Sequence, residues 1–210
     1  MANARSLLWL ADTAPLDLDW FAAGAGWLNE AERQRHARFA RAERRRQFVA
    51  GRVLLRMALG ALLDMSPREV LLRERPGNAP AFSFPAFPGI GLSISHSRQW
   101  VACAVSLDGP VGLDIECIDP TRDVLAIAEQ AFGLEAAGQL GSLDPTERVD
   151  AFYRMWCRYE ARIKLGCDSA HDAFHAFPGL AMVLSSTQVL EARPATVSLA
   201  AVLEGQGGPD

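Results

Sequence analysis

Residues Ile90–Ile118, IGLSISHSRQWVACAVSLDGPVGLDIECI, lie at the middle of a 210-residue chain, and their reading decides how the rest is organised. Apolar, β-branched runs at Ile90–Ser95 and Trp100–Ser106, joined by a polar turn at Ser97-Arg98-Gln99, predict two neighbouring strands. Asp108-Gly109-Pro110 is a second turn, and Val111–Ile118 predicts a third strand. On the N-terminal side the pattern predicts an opening strand at Ser6–Leu10, a short helix at Trp20–Asn29 and a long or broken helical stretch from Glu30 to Leu63. Pro76, Gly77, Asn78 and Pro80 then mark a loop. On the C-terminal side a helical pattern runs from Pro120 to about Gln139, breaks at Gly141–Pro145 and resumes from Thr146 to Leu165. Leu180–Leu184, Gln188–Arg193 and Thr196–Leu203 predict short strands, and Gly205–Asp210 a frayed tail. Strand, helices and strands thus recur on both sides of the central turn. The expectation is an α+β fold of two similar halves, residues 1–108 and 109–210.

Composition bounds the function. Half of the residues are hydrophobic, enough to bury a core, and the formal charge is −4, so any anion site must be local rather than a property of the whole surface. Nine arginines fall between Arg33 and Arg56 with apolar residues at helical spacing, which predicts a helix with a strongly basic, solvated face. The four cysteines, Cys103, Cys117, Cys157 and Cys167, form no CxxC pair and read as reduced thiols. The apolar run Leu7–Ala11 is too short for a secretion signal or a membrane span, so a cytoplasmic protein is expected.

Chemistry concentrates in three places. On the strand Val111–Cys117, period-two alternation sends Asp114 and Glu116 to one face and Leu113, Ile115 and Cys117 to the core. Paired carboxylates of this kind suit either a salt-bridged surface or a hard divalent cation such as magnesium. On the later helix, Trp156, Glu160 and Lys164 are spaced by four and share a face. This is either an ordinary Glu–Lys pair or a third carboxylate with a cation one turn away. Lys164 is the single lysine in a chain with twenty arginines, and an ammonium differs from a guanidinium in being a compact point charge. The third place is Ser93-Ile94-Ser95-His96-Ser97, where hydroxyls, backbone N–H groups and an imidazole stand at a strand end.

Taken in order, Ser93–Ser97 with Trp100-Val101, Val111–Glu116, Phe152-Tyr153 and Trp156–Lys164 resemble the 4'-phosphopantetheinyl transferases of the surfactin-synthetase-activating type. Gly51–Arg56 is similar to that family's basic helix, and Gly77-Asn78-Ala79-Pro80 to its Gly-Lys-Pro loop. The likeness covers roughly Glu30 to Gly166. It implies a monomer of two pseudo-symmetric α+β halves, an N-terminal half binding coenzyme A and a C-terminal half carrying the metal and catalytic residues. It also implies transfer of phosphopantetheine from coenzyme A to a serine of an acyl or peptidyl carrier protein, with release of 3',5'-ADP. By this resemblance Asp114, Glu116 and Glu160 hold Mg2+, Glu160 takes the serine proton, and Lys164 steadies the pyrophosphate. Ser95, His96, Arg35 and Arg75 hold the nucleotide.

Two positions depart from the family's pattern: Tyr159 and Ala79 stand where lysines are common, and Arg158, Arg162 or Arg75 are the expected substitutes. His171-Asp172-Ala173-Phe174-His175, preceded by Cys167, has the spacing of a helical zinc pair but lacks a fourth ligand, and is read as a polar helix face or a loop. No GxSxG, GxGxxG or phosphate-binding-loop motif is present, so hydrolase, dinucleotide and P-loop chemistry have no support. Two rivals remain: a coenzyme A-binding homologue without transfer activity, and an arginine-rich nucleic-acid-binding module. The leading reading expects neither a nucleic-acid nor a membrane partner.

Overall fold

The computed structural model describes residues 5–202, apart from 76, 83, 168, 169 and 201. Its elements are β1 (Ser6–Asp12), α1 (Leu18–Ala25), α2 (Glu30–Ala37), α3 (Ala42–Leu63), β2 (Gly91–Ser97), β3 (Trp100–Ser106), β4 (Val111–Cys117), α4 (Val124–Phe132), α5 (Leu134–Gly141), α6 (Pro145–Leu165), β5 (His171–Phe177), β6 (Leu180–Ser186) and β7 (Pro194–Thr196). One sheet has the order β2-β3-β1-β7 and the other β4-β6-β5.

The repetition expected from sequence is visible in this order. In the first half a strand, helices and a hairpin give β2-β3-β1; in the second the same succession gives β5-β6-β4. β1 therefore corresponds to β4, α3 to α6, and the hairpin β2-β3 to β5-β6. Both long helices are set by local signals. α3 stops at Asp64, which adopts the left-handed conformation at φ 53°. α6 starts with Pro145, whose missing N–H is unneeded in a first turn, and stops at Gly166, at φ 73°. Upstream, Asn29 and Glu32 satisfy each other's backbone N–H groups in a capping box that starts α2.

Alternation along the strands feeds two apolar layers. Leu8 and Leu10 of β1, Ala102 and Ala104 of β3, Leu113 and Ile115 of β4, and Met182 and Leu184 of β6 form one core shared by the two sheets. The opposite parity of the first sheet, including Val101, Cys103 and Val105, packs against Val53, Leu54 and Leu55 of α3. Ala181 and Val183 of β6 likewise pack against Phe152, Cys157 and Ala161 of α6. Helices thus cover the outer faces, and the two sheets meet inside.

Four expectations are corrected. Arg33–Arg56 is two helices rather than one, and its arginines divide: Arg33, Arg38, Arg41 and Arg46 are exposed, whereas Arg52 and Arg56 are buried, at 5% and 2% exposure. His171–His175 belongs to strand β5, not to a helix face or loop. Its Phe174, Ala176 and neighbours pair in register with β6, and that ladder outweighs the helical spacing of the two histidines. Gln188–Arg193 is irregular, held by Gln188 donating to the Asp108 carbonyl as the chain crosses back to the first sheet. The crossing ends in β7, which covers the otherwise open edge of β1 in parallel pairing. The predicted strand Thr196–Leu203 is only the end of β7 within the described residues; Pro76 and the tail Gly205–Asp210 lie outside them.

Candidate active site at the seam of the two halves

β4 and α6 come together because residue 112 has no side chain. A Cβ on Gly112 would overlap the Ala161 carbonyl oxygen of α6, so glycine here permits backbone-to-backbone packing. That approach lays one face of α6 over the Asp114 and Glu116 side of β4.

On its other flank β4 meets β2 without a main-chain ladder. Ser93, Ser95 and Ser97 occupy alternate positions of β2 and all point at β4. Their hydroxyl oxygens accept the N–H groups of Leu113, Ile115 and Cys117 at 2.8, 3.2 and 2.9 Å. Two of the hydroxyls then spend their proton on a carboxylate: Ser95 donates to Asp114 Oδ1 at 2.9 Å and Ser97 to Glu116 Oε2 at 2.8 Å. The serines are buried, so each hydroxyl bond replaces a strand-pairing bond that β4 would otherwise lack.

A cavity of about 480 Å³ opens where α3, β2, β4 and α6 converge. Arg35, Arg44, Arg52 and His96 line one side, and Asp114, Glu116, Glu160 and Lys164 the other. Gly77, Asn78, Ala79 and Pro80 contribute a loop to its rim, and Trp156 and Ile163 an apolar patch.

The basic side is built on an internal ion network. Arg56 and Arg52 pair with Glu32 at 2.5 and 3.1 Å, and Glu74 joins Arg52 and Arg35 at 2.5 and 2.6 Å. Glu32 is fully buried, and Arg52 and Arg56 are packed inside with it, whereas Arg35 keeps a third of its side chain exposed. Arg44 has weaker ties, a 3.5 Å bond to Gln47 and the Phe39 ring beneath its guanidinium. Burial, then the charges of Arg35 and Arg52, lower its pKa. A dianion in the cavity would relieve this crowding. His96 feels the same field: burial, then Arg44 and Lys164, bring its pKa down to about 4.

The acidic side is arranged differently. Lys164 Nζ donates to Asp114 Oδ1 at 2.6 Å, to the Leu113 carbonyl at 3.0 Å and to Ser95 Oγ at 3.1 Å. An ammonium has three protons, so its donors are all spent on the protein. Asp114 Oδ2, by contrast, is buried with no hydrogen-bond partner. Burial raises the Glu116 pKa, with the Asp114 charge adding to it against the Ser97 hydrogen bond. An unpartnered buried carboxylate oxygen beside a carboxyl group resisting ionisation fits a hard divalent cation, which would satisfy the first and ease the second. Among the described residues no three His, Cys, Asp or Glu side chains already stand close enough to enclose a metal. The carboxylates therefore line one cavity without forming a closed cage.

Seven of the eight residues expected from sequence meet at this cavity: Arg35, Ser95, His96, Asp114, Glu116, Glu160 and Lys164. Arg75 does not line it. Its Nε donates to the Ala79 carbonyl at 2.9 Å, bracing the rim loop from outside. Nor does Arg162 supply the cation absent at position 159, since it is engaged with Asp172 at 2.6 Å. Tyr159 packs against Phe132 with ring centroids 5.2 Å apart. Sequence reading missed Arg44 as a cavity residue. It was one of nine arginines in its stretch, and only the crossing of α3 over β2 distinguishes it. Cys167 and the two histidines of β5 assemble no metal cluster among the described residues.

Sequence comparisons agree with this geometry. The family model for the 4'-phosphopantetheinyl transferase superfamily matches residues 110–200, which include β4, α6, β5 and β6. The chain is 34% identical over 145 residues to 4'-phosphopantetheinyl transferase AcpT of Salmonella typhimurium, covering 69% of this chain and 71% of that protein. It is 33% identical over 141 residues to 4'-phosphopantetheinyl transferase HetI of a Nostoc species, covering 67% of this chain and 60% of that protein. With 4'-phosphopantetheinyl transferase psf-1 of Bacillus pumilus the identity is 38% over 121 residues, 57% of this chain and 49% of the relative. The chain thus spans from 49% to 71% of the length of these relatives. Together with a site that gathers the residues of the family's motifs at one seam, these matches establish that the chain belongs to the 4'-phosphopantetheinyl transferase superfamily.

Proposed function

We propose that the cavity binds coenzyme A and that the protein transfers its 4'-phosphopantetheine group to a serine of an acyl or peptidyl carrier protein. The protein acts as a Mg2+-dependent holo-[acyl-carrier-protein] synthase in the cytoplasm and as a monomer. The observation that carries this reading is the division of one cavity into a basic side (Arg35, Arg44, Arg52, His96) and a carboxylate side (Asp114, Glu116, Glu160) with Lys164. A nucleotide phosphate fits the first side, and a pyrophosphate with its counter-cation fits the second.

In this scheme the N-terminal half, residues 1–108, holds the nucleotide, and the C-terminal half, residues 109–210, supplies the metal ligands and the base. Arg35 and Arg44 donate to phosphate oxygens, and His96 does so through its N–H. Mg2+ held by Asp114, Glu116 and Glu160 would neutralise charge on the pyrophosphate. Glu160 takes the proton of the carrier serine hydroxyl as that oxygen bonds to the β-phosphorus. The bond from the β-phosphorus to the bridging oxygen breaks, and 3',5'-ADP leaves with the electron pair. Lys164 fixes Asp114 and offers positive charge beside the leaving oxygens. The rim patch of Trp156 and Ile163 excludes water where the pantetheine arm begins.

Intact-mass spectrometry of apo carrier domains tests this. Incubation with the protein, coenzyme A and Mg2+ should add one phosphopantetheine to the carrier serine. Tight coenzyme A binding with every carrier mass unchanged would instead favour a binding homologue. A nucleic-acid-binding module would instead bind DNA or RNA with an affinity that falls steeply with salt and does not depend on Asp114.

A further inference from the structure

The serines of β2 do unequal work, and the difference points to a residue outside the expected set. Ser93, Ser95 and Ser97 each accept an N–H from β4. Ser93 has no carboxylate partner among the described contacts. Ser95 Oγ contacts both Asp114 and Lys164. Ser97 is the simplest case: it accepts from Cys117 N–H at 2.9 Å and its single proton goes to Glu116 Oε2 at 2.8 Å.

A hydroxyl has one proton, so while Ser97 is anchored to the β4 backbone the direction of that proton is fixed. The Glu116 side chain turns about several single bonds and stands half-buried near the end of β4, so its carboxylate needs a fixed partner to hold one orientation. The hydrogen bond to Oε2 leaves the second oxygen, Oε1, of this cavity-lining residue to take another partner. We propose that Ser97 is a positioning residue for Glu116, holding that carboxylate in the orientation that receives a divalent cation. The proposal rests on the metal reading of the cavity given above.

Partners that orient a metal ligand without touching the metal commonly govern affinity by roughly 10- to 100-fold. Mn2+ serves as a hard-ion probe, titrated into the protein alone and followed by the electron paramagnetic resonance signal of the free ion. Ser97→Val and Ser97→Thr have the same shape and differ in the hydroxyl. The valine variant should bind Mn2+ at least about tenfold more weakly than wild type, and the threonine variant should match wild type. Ser97→Ala carries the same expectation if valine prevents folding, as judged by circular dichroism. Ser93→Ala removes an equivalent tether between β2 and β4 but no carboxylate contact, and should stay within about twofold of wild type in Mn2+ affinity while losing thermal stability. Equal weakening in Ser93→Ala and Ser97→Ala, or wild-type affinity in Ser97→Val, overturns the proposal and leaves the metal site standing. Wild-type protein that binds no Mn2+ overturns both.

Discussion

Lys164 Nζ stands 2.6 Å from Asp114 Oδ1, a bond between the end of α6 and the middle of β4. The pair is placed by Gly112, which lets α6 approach the strand, and by Ser95, which touches both partners. The solitary lysine of the chain is therefore more than a cation facing a substrate. It satisfies three acceptors within the fold while its side chain remains 30% exposed at the cavity.

Lys164→Arg should lower carrier modification by roughly 100-fold, the scale of disturbing one preorganised group beside the developing charge. A planar guanidinium does not reproduce three short bonds made by one tetrahedral nitrogen, so it displaces either Asp114 or the strand. Steady-state kinetics check this. The account expects the loss chiefly in kcat, and turnover like wild type would show that the point charge is dispensable.

Gly112→Ala should damage both stability and activity. The added methyl meets the Ala161 carbonyl rather than a yielding side chain, so α6 must move, at a cost of about 1–3 kcal/mol or more. Urea denaturation measures the first effect and coenzyme A-dependent transfer the second. Gly141→Ala serves as the control, because a Cβ there meets nothing.

Much of this was legible in the chain. Alternation alone placed Asp114 and Glu116 on one face of β4 and Leu113 and Ile115 in the core, and four-residue spacing put Trp156, Glu160 and Lys164 together on α6. Non-local pairing was not legible. Arg52 and Arg56 read as surface charge until Glu32 and Glu74, which lie some twenty residues away, are seen to neutralise them. His171–His175 read as a polar helix face or a loop because histidine spacing carries no information about its β6 partner. Arg75 read as a cavity residue because sequence adjacency to a loop does not say which side of it a side chain takes.

That buried network yields a stability prediction. Glu32 is fully buried, pairs with Arg52 and Arg56, and closes the capping box of α2. Glu32→Ala takes from buried Arg56 the carboxylate it pairs with, leaves Arg52 with Glu74, and should cost about 3–5 kcal/mol in chemical unfolding. A loss below 1 kcal/mol would mean that Glu74 alone balances the charge.

His96 gives the pH dependence. Its pKa falls from 6.5 to about 4 on folding, so between those values the unfolded chain binds the proton that the native protein refuses. Stability therefore declines as pH drops from about 6.5 toward 4, by up to about 3 kcal/mol from this group. A dianion against Arg44 and His96 favours the protonated imidazole. Saturating 3',5'-ADP should accordingly flatten the acid side of the melting-temperature profile. Replacing His96 with glutamine should flatten the same limb without the ligand.

The most direct test follows phosphopantetheine itself. Wild type and Glu160→Gln are incubated with apo carrier, coenzyme A and Mg2+, and holo-carrier is counted by intact mass while 3',5'-ADP is counted by chromatography. The account predicts equal amounts of the two products from wild type, a loss of roughly 100-fold or more in Glu160→Gln, and none in either case after chelation of the metal. Glu160→Gln converting carrier at the wild-type rate, or wild type forming neither product with any apo carrier, would contradict it.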